Sequence, residues 1–190
     1  SGRLDRAGRE VAPLDLAQVR EAIALFKQEN VSAVSVCFMN SFANPAHEQA
    51  AAEIVKKEMP GAYLSVSTDL LPSIRFYERI STTALNSYVG PKLNHYLDQL
   101  VGRLKGIGFK GLLLIMQSNG GLSDVELARH QCIQMMESGP AGGVVGTMAL
   151  CELLELEAAI AFDMGGTTAK ASVIRRGVPS LSPDYFIGGY

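Results

Sequence analysis

Seven residues late in the chain carry the groups that phosphate chemistry needs. In Phe162-Asp163-Met164-Gly165-Gly166-Thr167-Thr168, an apolar run too short for a helix delivers Asp163 to a glycine pair, and a second β-prone run leaves through Ala171 to Ile174. The pattern predicts a β-hairpin with polar groups at its tip. Backbone N–H groups of Gly165, Gly166 and Thr167 can converge on an anion because no Cβ of the two glycines stands in the way. Thr167 and Thr168 add hydroxyl donors. Asp163 is an oxygen ligand for a hard cation such as Mg²⁺, directly or through water, and the candidate catalytic carboxylate. From these residues alone, an ordinary glycine hairpin capped by an Asp explains the pattern as well.

Two upstream stretches offer similar chemistry. Ser138-Gly139-Pro140-Ala141-Gly142-Gly143 opens a predicted helix, where free N–H groups and the positive end of the dipole favour an anion. Ser138 is a cap or a phosphate donor, capping being the simpler role. Glycines inside a helix cost roughly 1 kcal/mol each relative to alanine, so close helix–sheet packing or a close ligand must compensate. Met116-Gln117-Ser118-Asn119-Gly120-Gly121 follows an apolar strand, and Asn119 there either orients a polar ligand or closes a turn. Arg75, Tyr77, Glu78 and Arg79 beside Ser81, Thr82 and Thr83 form a polar cluster, for which a solvated helix face is the simpler explanation.

Other patterns lead nowhere. Gly106-Ile107-Gly108-Phe109-Lys110-Gly111 fits GxGxxG but follows a helix and precedes a strand, the reverse of a dinucleotide site. His47-Glu48 lacks the second histidine of a zinc-protease helix, since position 51 is Ala. No Walker lysine motif is present. Cys37, Cys132 and Cys151 lack CxxC spacing and sit among apolar neighbours, as buried thiols do.

The elements that must position these residues alternate. A short strand pair is expected within residues 1–14, with its further partner missing. A helix over 16–29 is capped by Asp15 with Gln18 as reciprocal partner. A strand covered on both faces runs from Val31 to Met39, and a helix starts at Asn44-Pro45 and stops at Met59-Pro60-Gly61. A strand from Ala62 to Val66 leads to a long helical region whose spacing is kept by Ile74, Tyr77, Ile80, Thr83 or Ala84, and Tyr88, and later by Leu93, Tyr96, Leu97, Leu100 and Leu104. Pro91 breaks or bends it, and Gly106 and Gly108 end it. Then come a buried strand at Gly111 to Met116, a short helix boxed by Ser123 and Glu126, a strand at Cys132 to Met136, a helix from Pro140 to Leu154, the hairpin, and a third strand from Val178. Asn119, Ser138 and Asp163 each follow a predicted strand, which could place them on one rim. The fold class is α/β, a parallel component finished by antiparallel strands, with a boundary near residue 130.

A balance of 17 Lys and Arg against 19 Asp and Glu, without basic blocks, argues against nucleic acid as the main partner. No apolar run reaches membrane-span length and no signal peptide opens the chain, so a cytoplasmic location with no membrane partner is expected. The start at Ser1 and the stop at Ile187-Gly188-Gly189-Tyr190 suggest a piece of a longer protein.

The glycine hairpin, the Met116–Gly121 stretch and Glu137-Ser138-Gly139-Pro140-Ala141-Gly142-Gly143 together resemble the hydantoinase A / 5-oxoprolinase family, as do Leu71-Pro72-Ser73-Ile74-Arg75-Phe76-Tyr77-Glu78-Arg79 and Ser81-Thr82-Thr83-Ala84-Leu85-Asn86. The resemblance implies a fragment of an actin-like ATPase (ribonuclease H-like) fold, a mixed sheet with flanking helices. Residues 1–130 would be the C-terminal part of the family's N-terminal region, and 131–190 the start of its ATPase domain. It implies ATP and Mg²⁺ as cofactors, with Gly165, Gly166, Thr167, Thr168, Ser138, Gly139 and Asn119 at the nucleotide and Asp163 at the metal. The implied activity is ATP-dependent opening of a cyclic amide of hydantoin, N-methylhydantoin or 5-oxoproline type, the isolated segment being inactive. The alternatives are an ATP-dependent ketone carboxylase subunit or a purely structural segment. The implied partners are the remainder of the polypeptide and a second subunit of hydantoinase B type. One departure is Lys170, which stands where many members carry an Asp.

Overall fold

A computed structural model describes residues 2–180, so the terminal Ile187-Gly188-Gly189-Tyr190 lies outside the described residues. The chain forms two compact units that interleave in sequence. One comprises the residues up to Leu112 together with Val125–Ile133, and the other Leu113–Asp124 together with the residues from Gln134 on.

In the first unit β1 (Arg3–Leu4) pairs antiparallel with β2 (Glu10–Ala12). Helix α1 (Leu16–Gln28) starts where Asp15 Oδ1 accepts from the amides of Ala17 and Gln18, at 3.0 and 3.2 Å, as its cap position predicts. β3 (Ala33–Val36) and β4 (Tyr63–Val66) pair in parallel through α2 (Ala46–Glu58), whose start is tied by Asn44 Oδ1 accepting from the Ala46 amide. Ile23, Val34, Val36, Ala51, Ile54, Val55 and Met59 form the core between α1, α2 and these strands. β3 is shorter than its apolar run because the Phe38 amide leaves the ladder for Glu48 Oε1, 2.7 Å away. A single helical turn, α3 (Ser67–Leu70), follows β4.

Helix α4 (Phe76–Gly106) is one continuous element through Pro91. In its second half the apolar stripe is the buried one, with Leu97 buried and Leu93, Leu100 and Leu104 half-buried, but in its first half Ile74 before the helix and Tyr77 and Tyr88 on it are exposed, whereas Arg79, Thr83, Asn86, Ser87 and Gly90 are buried. There the face is chosen by hydrogen bonding. Arg79 Nη2 donates to the Phe38 carbonyl at 2.7 Å and Nη1 to Ser67 Oγ at 3.0 Å, 3.7 Å from Glu48 Oε1, with both charged side chains fully enclosed. Glu48 also accepts from Ser41 Oγ, Ser67 Oγ and the Thr68 amide. The solvated-face reading holds for Arg75 and Glu78, exposed or half-buried and 3.4 Å apart, and fails for Arg79. Gly90 is required by packing, since a Cβ there would fall 2.3 Å from the Tyr63 ring.

The predicted strand at Cys132 to Met136 is instead a 3₁₀ turn, Cys132–Met135. Its backbone is satisfied by a side chain rather than a ladder, the Ile133 amide donating to Asn86 Oδ1 at 2.9 Å. Ser123 does not box the helix α5 (Val125–His130): it lies in a strand, and its buried hydroxyl has no partner among the described residues.

The second unit holds β5 (Leu114–Met116) and β6 (Leu122–Asp124), an antiparallel pair, then α6 (Ser138–Leu153) and the antiparallel strands β7 (Ala158–Met164), β8 (Ala169–Arg175) and β9 (Val178–Pro179). β5 is partly exposed rather than the buried strand its composition predicts. Directly opposed residues share a face. Ile160, Phe162 and Met164 of β7, with Val173 of β8, are exposed together, while Ala159, Ala161 and Ile174 face the other way, Ile174 fully buried. α6 packs on β7. No helix among the described residues is long and apolar enough to cross a membrane.

Candidate phosphate site

The hairpin forms as its spacing predicts. Asp163 opposes Lys170 and Met164 opposes Ala169 at the end of the ladder, and one further bond, from the Gly165 amide to the Thr168 carbonyl at 2.9 Å, closes the turn. Gly165 therefore uses its amide inside the protein. Gly166 and Thr167 form the tip beyond the ladder, and Asp163 and residues 165–168 are all exposed.

Neither glycine of the tip takes a left-handed φ, and a Cβ on Gly166 would meet nothing within 4 Å. Local conformation and packing within this chain thus give no reason for glycine at 166. Gly139 and Gly143 at the start of α6 are equally unconstrained, while a Cβ on Gly142 would reach ordinary contact with Met116 Cγ at 3.9 Å. Gly120 is different: it takes φ +82° and turns the chain after β5.

Hydrogen bonds connect the three loops within this unit. The Ser118 hydroxyl donates to the Gln134 carbonyl at 2.7 Å and accepts from the Glu137 amide at 2.9 Å, so the 117–121 turn is fastened to the entry of α6. Glu137, the residue before α6, forms an ion pair through Oε2 with Lys170 Nζ, and Lys170 is the cross-strand neighbour of Asp163. Ser138 is the first residue of the helix, so the capping position falls to Glu137, whose side chain makes no capping bond. Asn119 uses Oδ1 to accept from the Gly121 amide at 2.8 Å, the turn-closing role. The roles of Ser118 and Glu137 lie inside motifs visible in the sequence, but their partners are 16 and 33 residues away and no local spacing signals them.

A cleft in the first unit, lined by Tyr63, Ser65, His95, Asp98, Arg129 and His130, offers less. Arg129 Nη2 is already 2.7 Å from Asp98 Oδ1, and Tyr63 OH is held by the Arg129 carbonyl and Asn86 Nδ2 at 2.8 and 3.1 Å. Burial, then the neighbouring Cys132, pushes the Tyr63 hydroxyl well above the usual phenol range, and burial likewise raises the Cys132 thiol. No cluster of three metal-ligating side chains exists among the described residues.

The hydantoinase/oxoprolinase family matches residues 79–190, and its N-terminal region matches residues 1–59. The chain belongs to the hydantoinase/oxoprolinase family. It is 31% identical over 183 residues to caprolactamase subunit alpha of Pseudomonas jessenii, spanning 96% of this chain and 26% of that one. The crystal structure of the ATP-dependent caprolactamase from that organism superposes with a TM-score of 0.81 over 91% of this chain and 25% of the other. 5-Oxoprolinase 1 of Arabidopsis thaliana is 32% identical over 86% of this chain and 13% of its own length. A nucleotide-free acetone carboxylase structure, 26% identical, gives a TM-score of 0.78 over 93% of this chain and 25% of that one. These 190 residues therefore span about a quarter or less of such relatives. The fold of this family member is an α/β fragment of actin-like ATPase type, with small sheets flanked by helices.

Proposed function

We propose that this chain contributes two phosphate-binding walls, the hairpin tip foremost, to an ATP-dependent enzyme that opens a cyclic amide. The carrying observation is the hairpin tip: amides of Gly166 and Thr167 outside the ladder, beside a glycine for which neither the chain's conformation nor its packing gives a reason. Backbone amides with open space in front of them suit a phosphate oxygen, which a Cβ would hold off. Thr167 and Thr168 hydroxyls lie next to these amides, and Ser138 and Gly139 at the entry of α6 supply a second anion wall where the helix dipole is positive. Asn119, occupied with its turn, serves the site by shaping the 117–121 loop.

Mg²⁺ fits the donor set only sparsely. Asp163 is an exposed carboxylate, its cross-strand neighbour is a cation, and no three-ligand cluster surrounds it among the described residues. A metal there would be held by Asp163 through water together with phosphate oxygens, the usual habit of Mg²⁺ with nucleotides. It would neutralise charge on the transferring phosphoryl group. The residues of this chain then position the phosphates while phosphoryl transfer to the amide oxygen makes the ring carbon open to water.

A second subunit of hydantoinase B type and the remaining polypeptide would complete the enzyme, since the P. jessenii relative is itself named a subunit. The acetone carboxylase likeness favours a second reading, in which the same ATP step activates a ketone for carboxylation. The test is ATP hydrolysis by the full-length protein with hydantoin, 5-oxoproline, caprolactam or acetone plus bicarbonate. Turnover stimulated by a lactam or hydantoin, and lost in Asp163→Ala and Gly166→Val, is expected. Unchanged ATP affinity in both variants refutes the phosphate wall, and stimulation by acetone alone selects the carboxylase.

A further inference from the structure

We infer that Lys170 and Glu137 form a positioning tether that fixes the glycine hairpin against the entry of α6, so that the two anion-binding walls meet one nucleotide at a set separation. The inference rests on the phosphate reading above.

Three observations lead to it. Lys170 lies on β8 directly opposite Asp163, at the last polar pair before the turn. Its ammonium reaches Glu137, 33 residues earlier in sequence, which stands at the N-cap position of α6. The same Glu137 donates its amide to Ser118 and so also anchors the 117–121 turn. One residue thus links all three loops. The pair is also electrostatically apt. A carboxylate at the entry of α6 would repel a phosphate approaching Ser138 and Gly139, and Lys170 neutralises it while holding it to one side. The side chains are 39% and 20% exposed, so the pair is enclosed enough to hold its geometry.

Lys170 and Glu137 are positioning residues here, acting through the loops they join. In the full-length protein, Lys170→Met and Glu137→Gln should each raise the KM for ATP about fivefold with kcat changed less than twofold, the scale of a partly exposed ion pair. The double variant should be no worse than either single, and the charge reversal Lys170→Glu with Glu137→Lys should recover most of the loss. Lys170→Arg, which keeps the positive charge and a donor within reach of the carboxylate, should stay within about twofold of the parent. The tether is overturned if Glu137→Gln leaves KM unchanged while Lys170→Met raises it, because the lysine would then touch phosphate itself. It is equally overturned if the single losses multiply in the double variant, or if neither single variant has an effect. If Asp163→Ala and Gly166→Val also leave ATP binding untouched, the phosphate reading fails as well, so the two failures are distinguishable.

Discussion

Gly166→Ala separates what the fold needs from what a nucleotide would need. The backbone at 166 lies outside the left-handed region, and an added Cβ meets no heavy atom within 4 Å. For the protein alone the substitution is tolerated, and it removes freedom from the unfolded chain, worth about 0.4–1 kcal/mol toward stability. For a bound triphosphate the same methyl would stand beside the amides proposed to hold an oxygen. Losing one charge-assisted hydrogen bond costs about 1.5–3 kcal/mol, and at about 1.4 kcal/mol per decade that weakens ATP roughly ten- to hundredfold. Thermal unfolding without nucleotide, paired with calorimetric titration of ATP into the full-length protein, reads both quantities on one sample. The expected result is an unchanged or slightly raised melting temperature with ATP affinity down at least tenfold. A variant as stable as the parent that binds ATP equally well refutes the reasoning, because nothing then approaches the tip. A variant that loses stability shows that the tip packs against other parts of the full-length protein, and the glycine is structural.

Gly90→Ala should give the opposite outcome: the Cβ lands 2.3 Å from the Tyr63 ring, so urea midpoints should fall by the equivalent of about 1–3 kcal/mol despite alanine's better helix propensity. Arg79→Met strands the enclosed Glu48 carboxylate, with an expected loss of about 3–5 kcal/mol and faster hydrogen exchange at the Phe38 and Thr68 amides, which Glu48 accepts from. Replacing Glu48 by Gln in the same protein should recover part of that loss. Because burial holds the Cys132 thiol and the Tyr63 hydroxyl protonated above their ordinary values of 9.0 and 10.0, the stability they confer is full below about pH 9 and is lost as pH rises. Urea midpoints should therefore be flat from pH 7 to about 8.5 and decline above it, and Tyr63→Phe with Cys132→Ser should flatten the alkaline limb.

The sequence by itself determined the elements whose signals are local. Asp15 before an apolar period sets the start of α1, and Phe162 to Thr168 sets the hairpin, because β-prone runs around a glycine pair have few other solutions. The paired motifs also sufficed for family membership. Tertiary structure decided whatever depended on distant partners. The apolar stripe held in the second half of α4, where Leu97 is buried, but pointed to the wrong face in the first half, because Glu48 on α2 and the carbonyl of Phe38 claim Arg79 and outweigh the hydrophobic pattern there. The apolar run at Cys132 became a 3₁₀ turn because Asn86, 47 residues away, satisfies the Ile133 amide. At the candidate site, residue types gave the hairpin, but only folding joined Ser118, Glu137 and Lys170, since an ion pair or a hydrogen bond across 16 or 33 residues leaves no periodicity in the chain.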